Sequence, residues 1–108
     1  MRAVQVSEFG GPEVLEVVDV PDPEAGEEEA LVTVARAGIN FADTHQRRDE
    51  YLAKAELPFI PGGEISGTTE DGRRVAAMIT SGGYAERVAI PEAALVPVPD
   101  AVTDDQAA

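Results

Sequence analysis

Glycine and proline punctuate this chain at short, regular intervals, and that punctuation constrains the fold more than any other feature. Gly10-Gly11-Pro12, Pro21-Asp-Pro-Glu-Ala-Gly26, Pro58 to Gly63, Glu70-Asp71-Gly72 and Ser81-Gly82-Gly83 each separate runs that alternate or are rich in β-branched residues. The runs are Met1 to Phe9, Val14 to Val20, Ala30 to Gly38, Glu64 to Thr69, Arg74 to Thr80, Tyr84 to Ile90 and Leu95 to Val98. The first two read as a hairpin-like pair. Pro21 and Pro23 remove ladder donors from the segment that follows, so it reads as a polar loop. Short strands at roughly 8–12-residue spacing with turns of this kind predict a small barrel or sandwich.

Ala30-Leu-Val-Thr-Val-Ala-Arg-Ala-Gly38 is the clearest strand. Strict alternation places Leu31, Thr33, Ala35 and Ala37 on one face and Val32, Val34, Arg36 and Gly38 on the other. The small residues at its end leave room for a close approach to the backbone. Asn40 then reads as a helix N-cap, with Asp43 in the first turn and Arg47 and Arg48 in the last, which predicts a short helix over 41–48. Asp43 and Arg47 stand at i,i+4 spacing, an ion pair worth a few tenths of a kcal/mol on an exposed helix face. Thr103-Asp-Asp-Gln106 is a capping-box pattern that opens a second helix just before Ala108, and it predicts that the domain belongs to a longer protein.

With 108 residues and 44% hydrophobic composition, one folded domain with a modest core is expected. A net charge of -13 repels phosphate backbones and anionic lipid and argues against nucleic acid as a partner. The absence of cysteine excludes disulfides, thiol catalysis and cysteine-ligated zinc. No apolar run approaches the roughly 20 residues that span a bilayer, and the amino terminus shows no signal-peptide core, so no membrane partner and a cytoplasmic location are expected.

Few residues offer chemistry. His45 is the sole imidazole and reads as a solvated helix residue, and Ser7, Ser66 and Ser81 have no triad or elbow spacing. Gly62-Gly63 and Gly82-Gly83 lack the strand–loop–helix setting of a nucleotide fingerprint and read as turns. What remains is a binding constellation of Asn40, Asp43, Arg47 and Tyr51, with Glu64. Spacing alone allows a purely structural alternative: Asn40 as cap, Asp43 with Arg47 as a helix pair, Tyr51 as packing and Glu64 as a strand-start charge.

Three segments carry a family resemblance. Ala37-Gly-Ile-Asn-Phe-Ala-Asp43 is similar to an Ala-Gly-Val-Asn-x-x-Asp motif, Pro58-Phe-Ile-Pro-Gly-Gly-Glu64 to Pro-x-x-Pro-Gly-x-Glu, and Gly83-Tyr-Ala-Glu-Arg-Val88 to Gly-x-Tyr-Ala-Glu-Tyr-Val. Together with the opening Met1 to Leu15, the chain resembles the zinc-independent, zeta-crystallin-like quinone oxidoreductases of the medium-chain dehydrogenase/reductase superfamily. The resemblance implies a mainly β, GroES-like, partly open β-barrel with one or two short helices. Residues 1–108 would form the catalytic domain, and a Rossmann domain would follow it.

The implied activity is NADPH-dependent reduction of a quinone or enone without a metal. NADPH would be held mainly by the second domain, and this piece alone would be inactive. By position, Asn40 and Asp43 correspond to residues that line the nicotinamide and substrate cleft, Tyr51 to the aromatic beside the bound quinone or cofactor, and Arg47 sits at the family's Asp-x-x-x-Arg position. Zinc-containing relatives would place a ligand Cys at Asn40 and a His at Gly63; both are replaced. Asp49 stands where many members have Gly, and the turn from Thr68 to Arg74 is shorter than theirs. The implied partners are a small-molecule acceptor and the protein's own second domain, with a homodimer allowed. A different class, a non-enzymatic co-chaperonin or interaction module, fits the barrel but lacks the expected mobile loop, since Pro21 to Glu29 is acidic and contains proline.

Overall fold

Val32, Ile65, Val75, Ala77, Val88 and Ile90 form one buried cluster, and each comes from a strand of the same sheet. The computed structural model describes all 108 residues. The strands are β1 (Arg2–Val6), β2 (Leu15–Asp19), β3 (Glu29–Gly38), β4 (Glu64–Thr69), β5 (Arg74–Met78), β6 (Arg87–Pro91) and β7 (Val96–Pro97). Two short helices, α1 (Phe41–Arg47) and α2 (Asp104–Ala107), complete the fold. Strands β6, β3, β4, β5 and β7 lie side by side in that order, every pair antiparallel. Ile65 and Ile90 are fully buried, each worth about 1.5–3 kcal/mol of transfer free energy.

The hairpin β1–β2 is a separate two-stranded sheet, and its free edge is tied to the segments that lead into β4 and β6. Val4 N–H donates to Tyr84 O at 2.8 Å, and Val6 exchanges hydrogen bonds with Phe59 at 2.8 and 3.0 Å. These links close part of the circumference, giving the mainly β, partly open barrel with two short helices. The strand expected over 84–90 begins only at Arg87. Just before it, Glu86 O still accepts Val34 N–H at 2.9 Å and Ala85 bridges to Ala3, while Gly82, with a φ of 103°, and the Tyr84 N–H bond to Pro61 O at 2.9 Å belong to the preceding turn.

Alternation along β3 does not persist. A β-bulge at Ala35 shifts the register with β4 between Val34 and Arg36. Beyond it Ala37 packs against the same core as Val34, although uninterrupted alternation assigns them to opposite faces. The extra residue thus re-phases the strand just before it delivers the chain to α1.

The carboxyl-terminal turn is anchored from below. Ser66 Oγ donates to Asp104 O at 2.8 Å, and Arg74 reaches Val102 O at 2.8 Å and Asp104 Oδ1 at 3.0 Å. Arg36 Nε pairs with Asp105 Oδ1 at 2.5 Å. The capping box forms as expected: Gln106 N–H donates to Thr103 Oγ1 at 3.2 Å, and Thr103 N–H to Gln106 Oε1 at 3.0 Å.

Candidate active-site cleft

Helix α1 begins where β3 leaves the sheet. Asn40 has extended dihedrals, and its backbone N–H donates to Asp43 Oδ2 at 2.8 Å, while Asp43 N–H returns to Asn40 O at 3.1 Å. The two residues stand in the capping-box arrangement, but the Asn40 side chain makes no capping hydrogen bond. Asn40 is thus the N-cap, as expected, and of the two side chains in the box only that of Asp43 closes a hydrogen bond. Its consequence is that the Asn40 amide stays unspent at the mouth of a cleft.

The i,i+4 ion pair expected between Asp43 and Arg47 does not form, and neither residue lies on an exposed face. Both are 7% exposed. Arg47 Nε donates to Gly10 O at 3.1 Å and its carbonyl accepts from Gly10 N–H at 3.0 Å, so it fastens α1 to the first turn. Arg47, expected among the substrate-binding residues, does not line the cleft. This placement has a simple physical origin: a buried guanidinium takes the backbone carbonyl within reach of a neighbouring turn, and the short helix offers no exposed face at that position.

Asp43 is held a second time, by the Tyr84 hydroxyl, which donates to Oδ2 at 2.7 Å. Burial, this hydrogen bond and the charges of Asp43 and Glu64 push the Tyr84 hydroxyl well above the usual tyrosine range, so it remains a donor. Gly62 makes the approach possible. It has a φ of 106°, and a Cβ there would stand 2.7 Å from the Tyr84 ring. Asp43 Oδ1 makes no hydrogen bond within the chain.

The cleft has a volume of about 630 Å³. The N-cap Asn40 and helix α1 with Phe41, Ala42, Asp43 and Gln46 line it, together with Tyr51 and Ala53 of the following loop and Gly63, Glu64, Met78, Ile79 and Thr80 at and beside the strand ends. Phe41 and Met78 are 87% and 82% exposed, an apolar rim around a polar floor. Gln46 is buried; its Nε2 donates to Thr80 O at 3.1 Å, and its Oε1 has no partner. Glu64 lies across Gly38, where a Cβ would collide with the carboxylate, so the small residue at the end of β3 makes room for this side chain. Tyr51 is carried by a turn in which Asp49 takes the left-handed region, φ 59°, so Asp holds the conformation for which Gly is the usual residue. His45 is exposed and outside the cleft.

Residues 26–100 match the alcohol dehydrogenase GroES-like domain family. The chain belongs to that family. This GroES-like domain is 44% identical over 100 residues to the quinone oxidoreductase of Lama guanicoe, covering 80% of the chain and 30% of the relative. It superposes on the quinone oxidoreductase of Thermus thermophilus, a protein also solved in complex with NADPH, with a TM-score of 0.92 and 47% identity. That match covers 99% of this chain and 35% of the other. The Escherichia coli quinone oxidoreductase complexed with NADPH gives a TM-score of 0.93 at 28% identity, covering 99% and 36%. The chain thus spans about a third of the length of the curated relatives it matches.

Of the residues picked out by sequence, Asn40, Asp43, Tyr51 and Glu64 come together in the GroES-like domain's cleft, and Arg47 does not. Tyr84 and Gln46 carried no local signal for their roles, since their partners Asp43 and Thr80 lie 41 and 34 residues away. No group of three or more His, Cys, Asp or Glu side chains is arranged to hold a metal ion. Asn40 and Gly63 both line the cleft, and neither supplies a strong metal-ligating side chain. No helix is long and apolar enough to cross a membrane.

Proposed function

We propose that this domain supplies the substrate-side wall of a zinc-independent, NADPH-dependent quinone or enone oxidoreductase, the remaining wall coming from a Rossmann domain elsewhere in the full-length protein. The observation that carries the reading is the division of labour at the start of α1. Asp43 Oδ2 is committed to Asn40 N–H and the Tyr84 hydroxyl, while Asp43 Oδ1 and the Asn40 side chain are left free in a cleft with an apolar rim. The oxidoreductase names of the relatives favour this reading over an interaction module.

The lining fits a nicotinamide ring beside a flat acceptor, because it joins an unspent amide and carboxylate to exposed Phe41 and Met78 faces. NADPH, when bound, supplies the hydride. Asn40 and Asp43 orient the reactants through hydrogen bonds, and the doubly held carboxylate does so with little freedom to lose. The Tyr51 hydroxyl donates to the acceptor, and Phe41 and Met78 exclude water from the contact. No cleft side chain is arranged as an obligatory acid, so the one proton that completes a two-electron reduction comes from water or from the cofactor ribose. Steady-state kinetics of Asn40→Ala, Asp43→Ala and Tyr51→Phe in the full-length protein test the assignment. Losses of about tenfold or more are expected for the first two, and unchanged activity in all three would remove this cleft from the mechanism.

A further inference from the structure

We propose that the cleft selects uncharged acceptors over anionic ones and that Glu64 is the residue that sets this preference. The inference rests on the quinone-reductase reading above and names its substrate class: a flat, uncharged conjugated dicarbonyl, with sulfonated or carboxylated analogues disfavoured.

Glu64 is half-buried in the cleft wall, and its carboxylate makes no hydrogen bond and no ion pair within the chain. It stands at the start of β4. Its register partners there, Gly38 and Met78, offer no side-chain donor. Asp43 Oδ1 is the second free carboxylate oxygen, and it lies 3.9 Å from where a Cβ on Gly63 would stand. Two acidic side chains therefore face the same space.

No lysine, arginine or histidine lines that space to balance them. None of the nearby cations enters it: Arg47 turns to Gly10 O, Lys54 pairs with Asp49, Arg36 pairs with Asp105, and Arg48 lies outside the lining. The exposed faces of Phe41 and Met78 displace water around an acceptor, which strengthens any charge interaction inside. An anion in this cleft meets repulsion and loses hydration with no cation to replace it. A neutral ring meets only apolar faces and the Asn40 amide. Discrimination by a misplaced like charge is an effective route to specificity.

The test compares kcat/KM for 1,4-naphthoquinone and a ring-sulfonated naphthoquinone in the full-length protein, with NADPH saturating. Ratios between variants cancel the difference in reduction potential between the two acceptors. The neutral acceptor should be preferred, and Glu64→Gln should narrow the preference by about three- to tenfold. Glu16→Gln, an equal change in net charge on exposed β2, should leave the ratio unchanged. Raising ionic strength from about 0.02 to 0.5 M should narrow the wild-type preference by screening. Should Glu64→Gln not fold, Thr80→Lys adds a cation at an exposed cleft position whose backbone contacts are untouched, and it should also narrow the preference. Equal narrowing by Glu16→Gln, or a ratio indifferent to Glu64, Thr80 and salt, overturns the inference while leaving the quinone-reductase reading in place. Failure to reduce any quinone overturns both.

Discussion

The Tyr84 hydroxyl and Asp43 Oδ2 meet at 2.7 Å across 41 residues of chain, and the same oxygen accepts the Asn40 N–H at 2.8 Å. One carboxylate oxygen thus fixes the start of α1 to the Gly82–Gly83 turn, while its companion remains free.

Tyr84→Phe removes the donor and leaves the ring. A loss of about 1–2 kcal/mol in unfolding free energy is expected, since the lost bond goes to a charged acceptor in a half-buried site. The hydroxyl pKa is raised in the folded protein, so the folded chain keeps this proton to higher pH than the unfolded one. The stabilisation is fully present below the ordinary tyrosine value of about 10 and is lost as pH rises above it. Urea denaturation from pH 8 to 11.5 should show a steeper alkaline decline in the wild type than in Tyr84→Phe. Parallel curves would mean that the bond does not form.

Asp49 tests the turn that carries Tyr51. Its φ of 59° is tolerated by Asp and by Gly but not by a β-branched residue. Asp49→Val should be less stable than Asp49→Gly by roughly 1–2 kcal/mol, read from denaturation midpoints. Equal midpoints would show that residue 49 leaves the left-handed region.

Gln46 tests the orphan acceptor. Gln46→Met gives up one hydrogen bond to Thr80 O but also removes the unpartnered Oε1, so the net change should stay within about 1 kcal/mol. Gln46→Glu places a carboxylate in the same buried position, facing Thr80 O, and should cost more than about 2 kcal/mol near neutral pH. Thermal melts of the two variants check the contrast.

The 108-residue chain alone should bind NADPH weakly, because it spans about a third of the length of its relatives. Calorimetric titration is expected to give no saturation at micromolar cofactor. A submicromolar dissociation constant would place the main cofactor surface in this domain.

Local signals were legible where local physics decides the outcome. The turns at Gly10–Pro12 and Glu70–Gly72, the helix after Asn40 and the box at Thr103 follow from backbone dihedrals and capping over a few residues. The cleft was legible at Asn40, Asp43 and Glu64 because those residues sit in motifs that resemble a family, and at Tyr51 through its position in that resemblance. What stayed hidden depends on distant partners. Arg47 looked like half of an ion pair until Gly10, 37 residues earlier, took its guanidinium. The bulge at Ala35 inserts no unusual residue, so period-two reasoning carried Ala37 to the wrong face.

That bulge works as an expansion joint. Up to Val34, β3 answers to the sheet: Val32 keeps company with Ile65 and Val88, and its side-chain choices are governed by packing volume. From Arg36 onward the same strand serves other neighbours, Arg36 reaching Asp105 and the last residue being the glycine over which Glu64 lies. Since the slack residue sits between them, repacking of the first half need not rotate the second. Random mutagenesis should therefore split the strand into a portion tolerant of conservative apolar exchange and a portion where even an added methyl group re-aims the site. A lineage could retune one without disturbing the other.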